Sequence, residues 1–95
     1  MMLEENPKDS FLRHALALEL HKIGEDLAAI SELEALLKDD PGYVGSYYQL
    51  GKLLEAVDEE QKAIECYERG MAEARNTGQQ RAFNELRSAL EELRF

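Results

Sequence analysis

At 95 residues, 44% hydrophobic and 33% charged, the chain is sized for one domain with a small core and has little room for an enclosed substrate cavity. A formal charge of −9 sets it against nucleic acid and anionic membrane surfaces, both of which are recognised by cationic side chains. Cys66 is the one cysteine, which excludes an internal disulfide and a multi-cysteine zinc site.

The chain opens Met1-Met2-Leu3-Glu4-Glu5, without the basic start and apolar run of a signal peptide. No apolar run approaches the length of a bilayer span, and a reducing cytoplasm is the expected location. From about residue 10 to 22, Phe11, Ala15, Leu16, Leu18 and Leu20 fall at helical spacings. Gly24 breaks that run. Glu25-Asp26 then place negative charge at the start of a second helix, where the helix dipole favours it. This helix carries Leu27, Ile30, Leu33, Leu36 and Leu37 to about Lys38, and Asp39-Asp40-Pro41-Gly42 reads as a turn. A third helix, from about Tyr43 to Ala56, carries Tyr47, Leu50, Leu53 and Leu54. Asp58 marks the next turn, and a fourth helix runs from Glu59 to about Arg75. After Asn76-Thr77-Gly78, a fifth helix from about Gln79 shows a narrow stripe of Phe83, Leu86, Leu90 and Leu93. Its basic residues Arg81, Arg87 and Arg94 balance Glu85, Glu91 and Glu92, so it is neutral beside an acidic body.

Pro7 and Pro41 lie 34 positions apart, and the same shift pairs Leu16 with Leu50, Leu20 with Leu54, Ala29 with Ala63, Ile30 with Ile64 and Glu34 with Glu68. Near-matches fill the gaps, among them Ala17 with Gly51 and Leu33 with Tyr67. The chain is therefore an internal repeat of helix hairpins. Two antiparallel helices approach closely only where small residues meet, which predicts that Ala17, Gly51, Ala29 and Ala63 sit at helix crossings. Leu20 with Leu33, and Leu54 with Tyr67, are expected to fill the space beside each crossing. A mid-helix glycine costs about 1 kcal/mol relative to alanine, so Gly51 calls for such a packing reason.

These residues resemble the tetratricopeptide repeat family, whose pattern over 34 residues is aromatic-x2-Leu-Gly-x2-Tyr, then Ala-x3-Phe, then Pro. The second repeat reads Tyr47-x2-Leu50-Gly51-x2-Leu54, then Ala63-x3-Tyr67, with Gly70 at a further small position. The first reads Arg13-x2-Leu16-Ala17-x2-Leu20, then Ala29-x3-Leu33, closing with Pro41. The resemblance covers about residues 7–76. It implies an all-α, alpha-alpha superhelix of five helices: repeat 1 at about 7–40, repeat 2 at about 41–76 and a capping helix at about 79–94. Two departures carry expectations. Arg13 replaces the usual aromatic, so the N-terminal edge is expected to pack loosely or lean on Phe11 and Leu12. Arg75 replaces the closing proline, so the fourth helix is expected to run on by a turn. Two repeats are fewer than the roughly three a stable stack needs, so either the closing helix suffices or the chain self-associates.

In this family the first helix of each hairpin lines a groove that holds an extended or helical peptide. By position, the groove residues would be Phe11, His14, Leu18, His21 and Lys22, then Tyr48, Gln49, Lys52 and Glu55; the alternative is that they are ordinary surface. The resemblance thus implies a non-catalytic module that binds another protein or a peptide segment. Lys52 and the two histidines point to an acidic or carboxylate-bearing segment. The family's clamp for C-terminal carboxylates needs Lys and Asn where this chain has His14 and Leu18, so that specificity is not expected. Homo-oligomerisation through the ends of the stack is the alternative role.

His14 and His21 share a helix face, but two ligands fall short of a zinc site and Leu18 takes the intermediate position. Cys66, among Glu65, Tyr67 and Glu68, has acidic neighbours that raise a thiol pKa, the opposite of what a catalytic thiolate needs. The remaining carboxylates fall on regularly spaced outward faces. Neither a Gly-rich phosphate loop nor a Ser/His/Asp arrangement is present. No cofactor, metal or catalytic activity is expected. The stripe on the fifth helix reads either as a cap over the second hairpin or as a short coiled-coil seam.

Overall fold

The computed structural model describes residues 9–94, so Pro7 lies outside the described residues. Five α-helices follow in order: α1 (Ser10–Lys22), α2 (Asp26–Asp39), α3 (Gly45–Ala56), α4 (Glu60–Asn76) and α5 (Gln80–Arg94). No strand occurs among the described residues. Asp9 starts α1 as an N-cap, its carboxylate accepting the Leu12 N–H at 3.1 Å.

Three of the four turns share one geometry. At the end of α1 the Glu25 N–H donates to Leu20 O; after α3 the Glu59 N–H donates to Leu54 O; after α4 the Gln79 N–H donates to Ala74 O. Each bond is 2.8 Å long and closes a helix end through a left-handed residue. Gly24 supplies that residue first (φ +85°), and Asp58 takes the same place in the second hairpin (φ +64°), a conformation that Asp tolerates better than most side chains. The α2–α3 turn is built differently: the Tyr47 hydroxyl donates to Pro41 O at 2.7 Å.

The four small residues expected at crossings are all buried, Ala17, Ala29 and Ala63 completely so. Gly51 lies directly beneath the Tyr67 ring, so Tyr67 covers the crossing itself rather than the space beside it. Its hydroxyl emerges to donate to Glu55 on α3. Gly70 repeats the device one helix later. A Cβ there would come within 2.6 Å of Tyr47 Cβ and 2.9 Å of Leu86 Cδ1, so this glycine lets α4 touch α3 and α5 at the same level.

The first hairpin differs from expectation. Arg13 is buried, and its guanidinium reaches Asp39 near the end of α2 at 3.0 Å, while the Ser10 hydroxyl donates to Asp40 at 2.6 Å. The N-terminal edge is therefore pinned by polar contacts and does not lean on Phe11, which is 59% exposed. An arginine can fill an aromatic position because its methylenes pack while its head reaches outward. Leu27, expected inward, is 73% exposed, and Ile23 across the same turn is 72% exposed.

α4 spans 17 residues against 14 for α2, the extension expected from Arg75 in place of proline. α5 turns its stripe onto this long helix. Leu86, Ala89 and Leu90 are buried, and Phe83 and Leu93 pack on the same core. The stripe is thus spent within the chain, closing the second hairpin.

Candidate functional site

α1, α3 and α5 lie side by side along one face, with α2 and α4 behind them. Where neighbouring helices of that face diverge, two adjoining clefts open. The first, about 240 Å³, lies between α1 and α3 and is lined by Leu18, His21, Gln49, Lys52, Leu53 and Ala56. The second, about 440 Å³, lies between α3 and α5 and is lined by Tyr48, Gln49, Lys52, Glu85, Ser88, Ala89 and Glu92. Gln49 and Lys52 form the ridge common to both. One cleft is walled largely by aliphatic carbon; the other has a carboxylate rim.

Five of the nine groove residues expected from the sequence, Leu18, His21, Tyr48, Gln49 and Lys52, line these clefts. His14 is on the same face but turns toward α3, its Nδ1 and the Ser46 Oγ 2.7 Å apart and its ring tilted against Tyr43. Glu55 is drawn down to the Tyr67 hydroxyl and Lys52. Phe11 lines neither cleft. Lys22 does not either, and its ammonium lies 3.4 Å from Glu19. The α5 wall, Glu85, Ser88, Ala89 and Glu92, is not among the residues expected from the sequence, because the pattern of that helix points to a cap or a coiled-coil seam.

Electrostatics of the face also differ from expectation. Lys52, among the described residues the one lysine or arginine lining the clefts, lies 3.7 Å from Glu55 and 3.8 Å from Glu92, and its ammonium sits 5.6 Å from the centre of the Tyr48 ring. Its charge is therefore already met. His21 is occupied by Asp26 at 2.8 Å, and burial pushes the His14 imidazole toward its neutral form. Glu55, Glu85 and Glu92 outnumber Lys52, with Arg81 3.9 Å from Glu85 at the outer margin. The acidic segment expected from Lys52 and the two histidines loses its physical basis here.

His14 gives this face a pH signature. Burial holds its pKa below the ordinary 6.5, so at and below pH 6.5 the unfolded chain binds more protons at this site than the folded chain. Its contribution to stability is present above pH 6.5 and is lost as pH falls through the lower folded value. Urea unfolding at about pH 7.5 and about pH 5 is expected to show stability falling with acid. His14→Gln should flatten that fall, and an unchanged slope in the variant would refute the assignment.

Elsewhere, Cys66 is buried, its thiol donating to Tyr47 O at 3.3 Å. Burial pushes its pKa up to about 12, with Glu34 adding to the rise and Arg69 opposing it. The main cause is thus desolvation, not the flanking glutamates that the sequence suggested. A third cleft, about 350 Å³, opens over this thiol on the α2 and α4 side, rimmed by Glu34, Lys62, Glu65 and Arg69. Among the described residues no three His, Cys, Asp or Glu side chains gather to hold a metal, and no helix is long and apolar enough to cross a membrane.

Two solved structures are similar to this chain over nearly its whole length, both of the same tetratricopeptide repeat domain protein from Salinibacter ruber. The solution NMR structure superposes with a TM-score of 0.88 at 41% identity, covering 92% of this chain and 88% of the other. The crystal structure gives 0.86 at 41% identity, covering 90% and 96%. The chain belongs to the tetratricopeptide repeat family. No family model and no curated protein matches the sequence, so the relationship rests on these structures and on the repeat geometry. As a tetratricopeptide repeat protein it has the fold of a helical-repeat protein-interaction module. In the terms of that family, α1 and α3 are the leading helices, and α5 stands where a third leading helix would.

Proposed function

We propose that the leading-helix face receives a polypeptide segment of another protein, making the chain a non-catalytic adaptor. The observation that supports this is the pair of adjoining clefts sharing the Gln49–Lys52 ridge. Together they form a trough crossing three helices, and its lining mixes apolar side chains, an aromatic ring and polar groups. That mixture suits a peptide, whose backbone needs hydrogen-bond partners and whose side chains need pockets. A small-molecule site would instead be enclosed and mostly apolar.

The test is selection from a random library of short peptides on the immobilised chain, followed by affinity measurement on Leu18→Ser and Tyr48→Ala. Each substitution removes apolar area from one cleft. Each is expected to weaken the selected peptides about tenfold or more, the size of an interface hot spot, with circular dichroism confirming that the fold is retained. If the selected peptides bind both variants as tightly as the wild type, the groove assignment is wrong.

A further inference from the structure

Resting on that reading, we infer that the segment bound carries an apolar side chain and, about three residues away, a lysine or arginine. The two halves of the trough differ in chemistry. Between α1 and α3, Leu18, Leu53 and Ala56 offer carbon to an aliphatic or aromatic side chain. Between α3 and α5, Glu85 and Glu92 flank a polar floor containing Ser88. A cation placed there lies between two exposed carboxylates on one side of α5, Glu92 facing Lys52 and Glu85 facing the solvent-exposed Arg81, with which it would compete. The two clefts lie on either side of α3, an α-helix with its side chains is about 10–12 Å across, and an extended chain advances about 3.3 Å per residue. The two positions are therefore spanned by about three residues.

Lys52 sits on the ridge between the halves and already reaches Glu92 at 3.8 Å and Glu55 at 3.7 Å. It occupies the carboxylates in the manner of an internal stand-in for the ligand's own ammonium. An incoming lysine or arginine competes with it for Glu92, while Lys52 retains Glu55. An acidic side chain would instead have to draw Lys52 from both partners beside the further carboxylate of Glu85, on a chain whose formal charge is −9. Like charges across an interface disfavour the complex.

The experiment titrates the isotope-labelled full chain with three synthetic peptides by NMR, each of nine residues on a Gly/Ser background. One carries Leu and Lys three positions apart, one Leu and Glu, and one Ser and Lys. The Leu/Lys peptide is expected to shift the amides of Leu18, Gln49, Ala56 and Ser88, and to bind about tenfold more tightly than either of the others. Lys52→Gln should strengthen Leu/Lys binding several-fold, since the competitor is gone. Glu85→Lys with Glu92→Lys should reverse the preference toward Leu/Glu. Both sites are exposed, so the fold is not at stake. If the Leu/Glu peptide shifts the same amides as strongly, or Lys52→Gln weakens Leu/Lys binding, the basic specificity is overturned while the groove reading stands. Shifts confined to the outer faces of α2 and α4, or none at millimolar peptide, overturn both.

Discussion

The Gly51→Ala variant is expected to melt about 10 °C below the wild-type chain. Two effects oppose each other. Alanine gains about 1 kcal/mol over glycine in a helix interior, but its methyl would overlap the Tyr67 ring, 2.8 Å from Cδ1 and closer still to the far edge. Tyr67 is completely buried and tied by its hydroxyl to Glu55, so the ring cannot step aside without moving α4 against α3. Overpacking in a tight core costs about 1–3 kcal/mol, and the absence of slack places this site at or above the top of that range. A net loss of about 2 kcal/mol in a domain this small lowers the melting temperature by about 10 °C. Gly45→Ala is the control: nothing lies within 4 Å of a Cβ there, so helix propensity alone acts and stability should hold or rise. Thermal circular dichroism of the two variants checks both signs, and an unshifted Gly51→Ala would show that close approach at this crossing is not what the glycine provides.

Truncation after Asn76 is expected to abolish cooperative unfolding. Leu86, Ala89 and Leu90 leave with α5, and with them the cover over Gly70, Met71 and Ala74 on α4. Burial of a leucine contributes about 1.5–3 kcal/mol. Two leucines with the flanking Phe83 and Leu93 therefore amount to about 5–8 kcal/mol by the same measure, against a total stability for a small domain of about 5–15 kcal/mol. What remains should keep much of its far-ultraviolet helical signal, lose the near-ultraviolet signal of its tyrosines and bind a hydrophobic dye. A truncated chain that unfolds sharply with native tyrosine signals would mean that the two hairpins stand alone and that the stripe on α5 serves another purpose.

Much of the architecture was legible because the repeat fixes register. Once Leu16 pairs with Leu50 and Ala29 with Ala63, the small residues fall opposite one another, and two antiparallel hairpins are the way to use them. The first hairpin was less legible at single positions. Arg13 reads as a surface charge by residue type, and only the proximity of Asp39 from the next helix makes its burial tolerable. Leu27 reads as core by periodicity, yet it is left exposed beside the α1–α2 turn.

The site was half legible for a definite reason. The repeat period carries Tyr48 and Lys52 back to His14 and Leu18, but it does not carry them forward into α5. With α4 prolonged, the packing pattern Tyr47, Leu50, Leu53, Leu54 recurs at Phe83, Leu86, Ala89 and Leu90, an offset of 36 rather than 34. At that offset Lys52 corresponds to Ser88 and Gln49 to Glu85, two members of the missed wall. Arg87 then falls at the position of Gly51. It is exposed, with its guanidinium 5.9 Å from the centre of the Phe83 ring.

In the proposed mode of binding, closure and recognition share a helix. The side of α5 that turns inward sets how firmly the molecule holds together, while the side bearing Glu85, Ser88 and Glu92 forms the proposed wall of the trough, and the two sides interleave along the same few turns. Exchanging only the outward residues of this helix would retarget the protein without touching its scaffold. Loosening the inward ones would blunt selectivity before the chain unfolds, because a wall that rocks on α4 no longer holds its carboxylates at a fixed distance from the ridge.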